Sequence, residues 1–419
     1  MGDPTFRAPK GTQDVLPPES ARWTELVARF AQRAARAGYG LVVSPMFEHY
    51  EVFARVGAST DIVRKEMYDF EDRGGRHIAL RPEGTASIVR AYVEHRPTPP
   101  FKAWYVAPNF RNEAPQAGRY RQHHQVGAEA IGSDDPQLDV EVIALLAGFY
   151  ADLGLRRVGL QLTSLGDQVC RPAYLETLRR YLEGEAAGLT EQSRQTLAVN
   201  PLRVLDSKRR EDAAVIDAAP KLLDHLCDAC AAHFSAVRTG LDLLGIEHEL
   251  APRLVRGLDY YTRTTFEFPA AALDTAQNAV GGGGRYDGLA EDMGGPPTPG
   301  IGFGAGIERI LLACDAEGVF GVPERSLDVF VVDVVDGTHA LTLTHELRAA
   351  GLRADRAFDS RSMKAQMRKA NSSGAPVAVI VGEQEVADGT VALRDLVAGE
   401  QEVIPRADVV TRVRKMIHT

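Results

Sequence analysis

Two long apolar stretches joined by an arginine-rich segment constrain the fold of this chain more than any other feature of its sequence. The stretches are FKAWYVAPNFR and HHQVGAEAIG, and the segment that joins them carries Arg111, Arg119 and Arg121 around a Pro/Gly turn. Apolar runs of this kind, bounded by turn residues, are typical of β-strands. The sequence therefore predicts an antiparallel hairpin with a long polar tip, which we expect to be functional.

The arginines of this tip predict an anion-binding site. Guanidinium groups bind phosphates in a bidentate manner, although a lone arginine-rich loop is more often a solvated surface hairpin. Two further segments, LVRGLDYYTRTTFEF and GAGIERI, contain arginines within glycine-rich or apolar, strand-like sequence. Arginines in such surroundings need anionic partners. Three arginine segments together therefore favour a site for an anionic ligand.

Two glycine runs have more than one interpretation. Glycines at 281–284 and 300–306 allow the backbone to approach a flat or phosphate-bearing ligand, and they serve equally well for close packing. Gly300, Gly302 and Ala305 match a dinucleotide fingerprint, but GGPPTP precedes them where a strand is required. The sequence also lacks G-x-x-x-x-G-K-[ST]. An ATP site in this chain must therefore use another device.

The order of strand-like and helix-like text predicts two domains. The 419 residues suffice for two or three domains of roughly 150 residues each. Strand-like text in residues 1–325 is interrupted by a helical insertion at about 168–247. After the linker-like GVPERS, residues 326–419 alternate between apolar strands and helices. This alternation predicts a small α/β domain with a mostly parallel sheet.

Charge and composition limit the possible partners and locations. The formal net charge of −9 means that a nucleic acid would have to contact a local basic face. Apolar runs such as Val377–Val381 are far too short to span a bilayer, so no membrane partner is expected. The first twenty residues lack the pattern of a secretory signal, and four scattered cysteines do not form a disulfide framework. We therefore expect a cytoplasmic protein.

Cys227, Cys230 and His233 form a C-x-x-C-x-x-H pattern in helical text. Zinc is one interpretation of this pattern. A structural zinc site needs four ligands, and no second pair lies nearby in the sequence. A buried helix face is therefore the favoured interpretation, and no protein metal site is predicted.

The arginine segments, the glycine run and the α/β tail occur in an order that resembles class II aminoacyl-tRNA synthetases. Pro45, after the long first helix, resembles motif 1, which builds the dimer interface; FRNEAPQAGRYRQHHQVGAE resembles motif 2, and GIGFGAGIERI resembles motif 3. LVRGLDYYTRTTFEF, GGGGRYDGL, KGTQDVLPPE and RPEGTA resemble stretches peculiar to the histidyl-tRNA synthetase family. The resemblance covers nearly the whole chain. It implies an α+β fold, with an antiparallel-sheet catalytic core carrying the helical insertion.

The resemblance also implies roles for single residues. Arg111 would hold the α-phosphate of ATP and the histidine carboxylate, and Arg256 would lie opposite it; these two are the expected catalytic residues. Glu129 and Tyr261 would bond the two imidazole nitrogens. The residues implied to bind histidine are Glu83, Thr85, Arg111, Gln125, Glu129, Arg256, Tyr260 and Tyr261. Those implied to bind ATP are Arg111, Glu113, Arg119 and Arg309, with Arg119 and Arg309 on the outer phosphates.

The activity implied is a histidine–tRNA ligase reaction. ATP with Mg²⁺ would activate L-histidine to histidyl-adenylate, and the histidyl group would pass to the 3′-terminal adenosine of tRNA(His). No tightly bound organic cofactor is expected, and the active protein would be a homodimer. The tail, with the basic stretches RADRAFDSRSMKAQMRKA and TRVRKMIHT, would read the anticodon. Stacking aromatics are scarce there, so base contacts are not assigned.

Two alternatives and one departure from the family pattern accompany this interpretation. A noncatalytic relative serves as a regulatory subunit of ATP phosphoribosyltransferase, but such relatives typically lack the tail and lose motif arginines. A class II synthetase for another amino acid is disfavoured by RGLDYY together with RPEGT. The departure is Ala114, where the family commonly has arginine in the loop implied to meet the acceptor end of the tRNA and its extra 5′ guanosine.

Overall fold

In a computed structural model, the chain forms two compact units, Met1–Gly321 and Val322–Thr419. The structure describes residues 6–57, 60, 62–254, 259–273, 278–323, 327–358 and 362–417. The domain boundary predicted between residues 325 and 326 lies outside these ranges and stays a prediction.

The first unit is built on a large, mainly antiparallel sheet. Its described strands are β1 (Gly40–Leu41), β2 (Phe47–His49), β3 (Tyr68–Glu71), β4 (His77–Leu80), β5 (Phe101–Phe110), β6 (Gln122–Ile131), β7 (Gln161–Ser164), β8 (Glu249–Leu250), β9 (Thr262–Pro269), β10 (Ala279–Arg285) and β11 (Gly300–Gly306). Eight of these form one sheet in the order β1-β5-β6-β11-β10-β9-β7-β8, and the others form a small sheet, β2-β4-β3. Only the β1–β5 and β7–β8 pairs of the large sheet are parallel. The predicted antiparallel-sheet core is therefore confirmed.

The predicted hairpin is formed by β5 and β6, which pair from Phe101 opposite Ile131 to Phe110 opposite Gln122. Because side chains alternate along a strand, every second residue of each strand faces the same side of the sheet. Glu129 and Gln125 therefore share one face of β6, and Tyr105 and Asn109 share one face of β5. The hairpin places side chains that are distant in sequence next to one another.

Helices pack against the large sheet, and their apolar side chains form a hydrophobic core with it. The described helices of the first unit are α1 (Glu19–Arg36), α2 (Tyr50–Gly57), α3 (Thr85–His95), α4 (Pro136–Asp152), α5 (Arg171–Gly184), α6 (Glu191–Val199), α7 (Ala213–Ala218), α8 (Asp228–Leu243), α9 (Leu289–Asp292) and α10 (Ile307–Glu317). Phe30 of α1 packs edge-on against Trp104, Phe149 and Phe303, at ring-centroid distances of 5.9, 5.0 and 6.1 Å. Asp135 caps α4 by accepting a hydrogen bond from the Gln137 amide.

Helices α5–α8 lie within the range predicted for the helical insertion. The apolar side chains of α5, including Leu178 and Leu182, belong to the same core cluster as Ile88 and Val89 of α3. The insertion therefore shares a core with the strands and helices around it. Its exact limits stay a prediction.

The second unit contains a mixed five-stranded sheet. Its described elements are β12 (Val329–Asp333), α11 (Thr338–Ala349), β13 (Ala354–Arg356), α12 (Met363–Ser372), β14 (Val377–Val381), α13 (Glu383–Asp388), β15 (Thr390–Asp395), β16 (Gln401–Pro405) and α14 (Val409–Ile417). In the order β13-β12-β14-β15-β16, the first three strands are parallel and the last two are antiparallel. The prediction of a mostly parallel sheet is thus correct only for β12–β14. The short connection between β15 and β16 cannot make the crossover that a parallel pair requires.

None of the described helices is long and apolar enough to cross a membrane. The cytoplasmic location expected from the sequence stays a prediction.

Candidate active site

A completely buried carboxylate, Glu129 on β6, lies at the centre of the site. Its Oε1 accepts hydrogen bonds from the Thr85 hydroxyl at 2.7 Å and the Tyr105 hydroxyl at 3.2 Å. Its Oε2 accepts a hydrogen bond from the Tyr286 hydroxyl at 2.6 Å. Burial raises the pKa of Glu129 to about 8, although the hydrogen bonds act in the opposite direction. A ligand that presents N–H groups or positive charge to this carboxylate would favour its ionised form.

Gly302 of β11 provides the space for this carboxylate. A Cβ atom at position 302 would lie 1.6 Å from Glu129 Oε2. No other residue fits at this position unless Glu129 moves. At this point, the glycine run of β11 serves the site rather than general packing.

Glu83 lies directly before α3, and its carboxylate accepts hydrogen bonds from the first turn of that helix. Oε2 accepts the Thr85 amide at 2.7 Å, and Oε1 accepts the Ala86 amide at 2.8 Å. Burial raises the pKa of Glu83, whereas these amides and the nearby Arg111 lower it. Because Thr85 also bonds Glu129, the RPEGT segment connects two buried carboxylates within one hydrogen-bonded group.

Three tyrosines, Tyr260, Tyr261 and Tyr286, lie near these carboxylates. The rings of Tyr260 and Tyr261 are both buried and lie 4.8 Å apart, and Tyr260 also contacts Tyr286 at 6.0 Å. The Tyr260 hydroxyl lies 3.4 Å from Glu83 Oε2. Tyr260 and Glu83, both predicted histidine ligands, are thus brought together. Arg256 was predicted to lie in the same site, but it falls outside the described residues.

Gln125 and Arg111 continue the same face toward the tip of the hairpin. The Asn109 amide donates to Gln125 Oε1 at 2.8 Å, which fixes the orientation of the Gln125 side chain. Arg111 Nε donates to the Pro82 carbonyl at 2.9 Å, next to Glu83. Arg111 is therefore held between Glu83 and the arginine-rich tip.

A group of charged side chains lies at the tip of the hairpin. Arg119 forms an ion pair with Glu113. Burial raises the pKa of Glu113, even though Arg119 and Arg111 lower it. Arg309, in the first turn of α10, has a pKa lowered by burial and by the positive charge of Arg119. Two guanidinium groups close enough to repel one another would be stabilised by an anion between them.

Glu308 fixes the position of Arg309. Its carboxylate accepts the backbone amide of His124 at 3.0 and 3.1 Å, and its Oε1 lies 3.0 Å from His124 Nδ1. These contacts attach the first turn of α10 to β6. The adjacent His123 has its pKa lowered to about 3 by burial and by Arg111, so its imidazole remains neutral at physiological pH.

Sequence reasoning missed several members of this site, namely Tyr105, Asn109, His124, Tyr286 and Glu308. Two of them had a readable signal, because Tyr105 and Asn109 lie at even spacings before Arg111 on a predicted strand. Tyr286 lies two residues after the glycine run of β10. The partners of Glu308 depend on the pairing of β6 with β11, which the sequence does not specify.

Comparison with known proteins gives consistent results along the whole chain. The model of a family described as histidyl-tRNA synthetase matches residues 11–310, and a model described as an anticodon binding domain matches residues 328–416. A histidine–tRNA ligase from Rhodococcus erythropolis is 49% identical, over 99% of this chain and 98% of the relative. A histidine–tRNA ligase from Mycobacterium tuberculosis is 48% identical, over 98% of this chain and 97% of the relative.

Solved structures give the same result for the fold. Apo histidyl-tRNA synthetase from S. aureus superposes with a TM-score of 0.83 at 35% identity, over 98% of this chain and all of that chain. A protein from Bacillus halodurans C, described as an ATP phosphoribosyltransferase regulatory subunit/histidyl-tRNA synthetase, superposes with a TM-score of 0.65 at 19% identity, over 86% of this chain and 95% of that chain. The second likeness concerns the fold alone.

Proposed function

The chain belongs to the histidyl-tRNA synthetase family, and we propose that it activates L-histidine with ATP and transfers the histidyl group to tRNA(His). One observation carries the proposal at the level of the site. Thr85 links Glu129 to Glu83, and Arg111 donates to the Pro82 carbonyl next to Glu83, close in sequence to the charged group at the hairpin tip. A site for an imidazole thus adjoins a site for phosphates.

Recognition of histidine rests on the two nitrogens of its neutral imidazole, of which one donates and one accepts a hydrogen bond. Glu129 would accept the N–H, and the Tyr261 hydroxyl would donate to the other nitrogen. Thr85, Tyr105 and Tyr286 hold the Glu129 carboxylate in a fixed orientation. An amino acid without either nitrogen would leave a buried polar group unpaired, which discriminates strongly against it.

The α-amino group of histidine would lie among Glu83, Thr85 and Gln125. The first-turn amides of α3 orient the Glu83 carboxylate, and the Asn109 amide orients Gln125. Both side chains are therefore preorganised for an ammonium group. Tyr260, whose hydroxyl lies near Glu83, would close this end of the pocket.

Activation joins two anions, because the histidine carboxylate attacks the α-phosphorus of ATP. Arg111 and Arg256 would stabilise the charge that develops on the nonbridging oxygens, and Arg119 and Arg309 would hold the outer phosphates. Glu113, paired with Arg119, would keep this arginine oriented toward them. Mg²⁺ bound to ATP would neutralise the leaving pyrophosphate. Positioning and electrostatics suffice, so the reaction requires no protein nucleophile.

The experiment that tests this activity is exchange of labelled pyrophosphate into ATP by the purified full-length protein. We expect exchange that depends on both L-histidine and Mg²⁺. Exchange supported equally well by another amino acid would contradict histidine specificity. No exchange at all would favour the regulatory-subunit alternative. That alternative is disfavoured at present by the ligase names of the full-length relatives and by the match to an anticodon binding domain.

The second unit is proposed to bind the anticodon of the tRNA. A cleft of about 350 Å³ lies at the carboxyl ends of β12 and β13, and Phe358 lines it. Phe358 is 52% exposed, and the charged groups of Arg356 and Lys369 lie 4.8 and 5.7 Å from its ring. An exposed aromatic ring flanked by cations is suited to stack on an unpaired base beside its phosphates. Phe358 is therefore the proposed base-stacking residue that sequence reasoning did not assign.

We also propose that the protein acts as a homodimer through the segment around Pro45. Leu41, Val43, Met46 and Phe47 are all more than half exposed, and Val43 reaches 85%. Such a concentration of exposed apolar side chains is typical of an interaction surface. Sedimentation equilibrium should give a dimer for the natural protein and a monomer for Val43→Asp. A monomeric natural protein would contradict the proposal.

A further inference from the structure

Three cysteines and one aspartate converge at a site separate from the hydrogen-bonded group around Glu129. We propose that Asp167, Cys170, Cys227 and Cys230, the thiol cluster, bind one Zn²⁺ ion. The ligand atoms of all four side chains lie within 4.8 Å of one another. Asp167 Oδ1 is 3.6 Å from Cys170 Sγ and 4.0 Å from Cys227 Sγ.

The local structure presents two ligand pairs of the same spacing. Cys227 is the N-cap residue of α8, and Cys230 lies in the first turn of that helix. Asp167 and Cys170 lie in the turn before α5, where Asp167 Oδ1 also accepts the amides of Val169 and Cys170. The two members of each pair are therefore three positions apart in the sequence. Zinc sites are commonly built from ligand pairs of this spacing.

Gly166 permits the approach of Cys170 to this turn. It has a positive φ of 61°, and a Cβ atom there would lie 2.7 Å from Cys170 Sγ. A side chain at position 166 would push the thiol out of the cluster. The turn is thus compatible with the cluster only because residue 166 is glycine.

The distances suit a tetrahedral ion. With Zn–S bonds of about 2.3 Å, tetrahedral geometry separates neighbouring ligand atoms by about 3.8 Å. The observed limit of 4.8 Å needs only a small contraction to reach this value. Three soft thiolates and one carboxylate are a donor set that zinc prefers over Mg²⁺ or Ca²⁺.

Arg263 provides the charge that such a site needs. Three thiolates and a carboxylate carry more negative charge than Zn²⁺ neutralises. The Arg263 Nη2 lies 3.6 Å from Asp167 Oδ2, whereas the other oxygen, Oδ1, faces the sulfurs of Cys170 and Cys227. Such an outer contact orients a metal-binding carboxylate and offsets part of the excess charge.

Neither of the other interpretations accounts for all four residues. A Cys227–Cys230 disulfide would use two thiols and leave the third thiol and the carboxylate beside them unexplained, and all four cysteines are free. The C-x-x-C-x-x-H interpretation is wrong for His233, because its Nε2 lies 2.8 Å from Asp139 Oδ2. The fourth ligand is Asp167, which precedes the motif by sixty residues.

The cluster is also connected to the start of β9, which directly follows Tyr260 and Tyr261. Arg171, next to Cys170, donates to the Tyr261 carbonyl at 2.9 Å. The Arg263 amide donates to the Gly166 carbonyl at 2.7 Å. An ion at the cluster would therefore fix α5 and α8 to the start of β9.

The proposal is tested first by the metal content of the full-length protein purified under reducing conditions and measured by inductively coupled plasma mass spectrometry. We expect one zinc per chain. Cys170→Ser and Cys227→Ser should each lose it. Cys314→Ala should keep it, because Cys314 is the matched control: a buried cysteine on α10, outside the cluster. Full zinc content in Cys170→Ser would place any metal elsewhere and overturn the proposal.

The main result of a second measurement comes from the natural protein and so does not depend on how well the variants fold. The natural protein, stripped with a chelator under reducing conditions, is titrated with Co²⁺ alone. We expect saturation at one equivalent, with the intense visible bands and near-ultraviolet sulfur-to-cobalt bands of tetrahedral thiolate coordination, and displacement by Zn²⁺. Asp167→Asn should bind Co²⁺ at least tenfold more weakly. Absence of these bands, or a Cys227–Cys230 disulfide that persists in protein purified under reducing conditions, would overturn the proposal.

Discussion

Replacement of Glu129 by glutamine should make the first unit more stable at high pH and also impair its use of histidine. Burial raises the pKa of this carboxyl to about 8. A group whose folded-state pKa lies above its ordinary value contributes stability below that ordinary value and loses it as the pH rises through the folded-state pKa. The natural protein should therefore lose stability relative to Glu129→Gln between about pH 4.5 and pH 8.

The magnitude follows from the two pKa values. The difference between the ordinary value of 4.5 and about 8 corresponds to roughly 5 kcal/mol at most, since one pKa unit is worth about 1.4 kcal/mol. Between pH 5 and pH 8 the expected change is about 3.5 kcal/mol, because Glu129 is already mostly ionised at pH 5 in the unfolded chain and only half ionised at pH 8 in the folded protein. Glutamine cannot ionise. Its carbonyl can still accept from Thr85, and its NH₂ can donate to the Tyr286 hydroxyl.

The two tryptophans of the chain, Trp23 and Trp104, both lie in the first unit. Urea unfolding followed by tryptophan fluorescence therefore reports on that unit alone. The free energy of unfolding should be measured for the natural protein, for Glu129→Gln and for Glu291→Gln, an exposed control on α9. Only for Glu129→Gln should the free energy of unfolding increase relative to that of the natural protein as the pH rises. If the three proteins change in parallel, burial does not hold a proton on Glu129 and the reasoning is refuted.

The same variant should lose histidine-dependent pyrophosphate exchange by about ten- to a hundredfold, because a charge-assisted hydrogen bond to the imidazole is worth roughly 1.5–3 kcal/mol. Arg256→Ala should lower adenylation by about 10²-fold, or roughly 3 kcal/mol, while histidine binding stays measurable by calorimetry; an unchanged turnover would show that Arg256 is misplaced. Phe358→Ala should raise the KM for tRNA about tenfold and leave pyrophosphate exchange unchanged, since stacking on one base is worth roughly 1–3 kcal/mol; an unchanged KM would remove Phe358 from the anticodon site. Ala114→Arg should increase discrimination in favour of the extra 5′ guanosine about ten- to a hundredfold in charging of paired transcripts; equal ratios for both proteins would show that residue 114 has no part in this recognition.

The sequence predicted the elements whose signals are local. The β5–β6 hairpin and the helical region between β7 and β8 follow from apolar patterning and turn residues over short windows. The antiparallel pair β15 and β16 was missed because the strand–helix alternation of the tail was extended to its end. The deciding signal was the short Asp395-to-Gln401 connection, whose length excludes a crossover.

The site was predictable where its residues lie on one strand or in one turn. Gln125 and Glu129 share the face of β6 because they are four residues apart, and Glu83 reaches Thr85 through the start of α3. Glu129 lies on β6, and Tyr286 directly follows β10. Their side chains meet only because β11 pairs with both strands, and this pairing is a property of the whole sheet. Patterns of a single strand cannot supply such a contact.

The thiol cluster shows the same limit at a site where the local signal was misleading. Cys227, Cys230 and His233 are each three residues apart, so a helix places them close to one face, and the motif reads as three ligands. The fold separates them, because the buried Asp139, already paired with Arg285, also contacts His233. Asp139 and Arg285 lie on α4 and β10, so the partner of His233 is set by how those elements pack against α8. Helical spacing therefore shows which side chains can lie on one face of a helix. Which of them can bind a common ion depends also on the charged groups that the fold buries next to them, such as Asp139 next to His233.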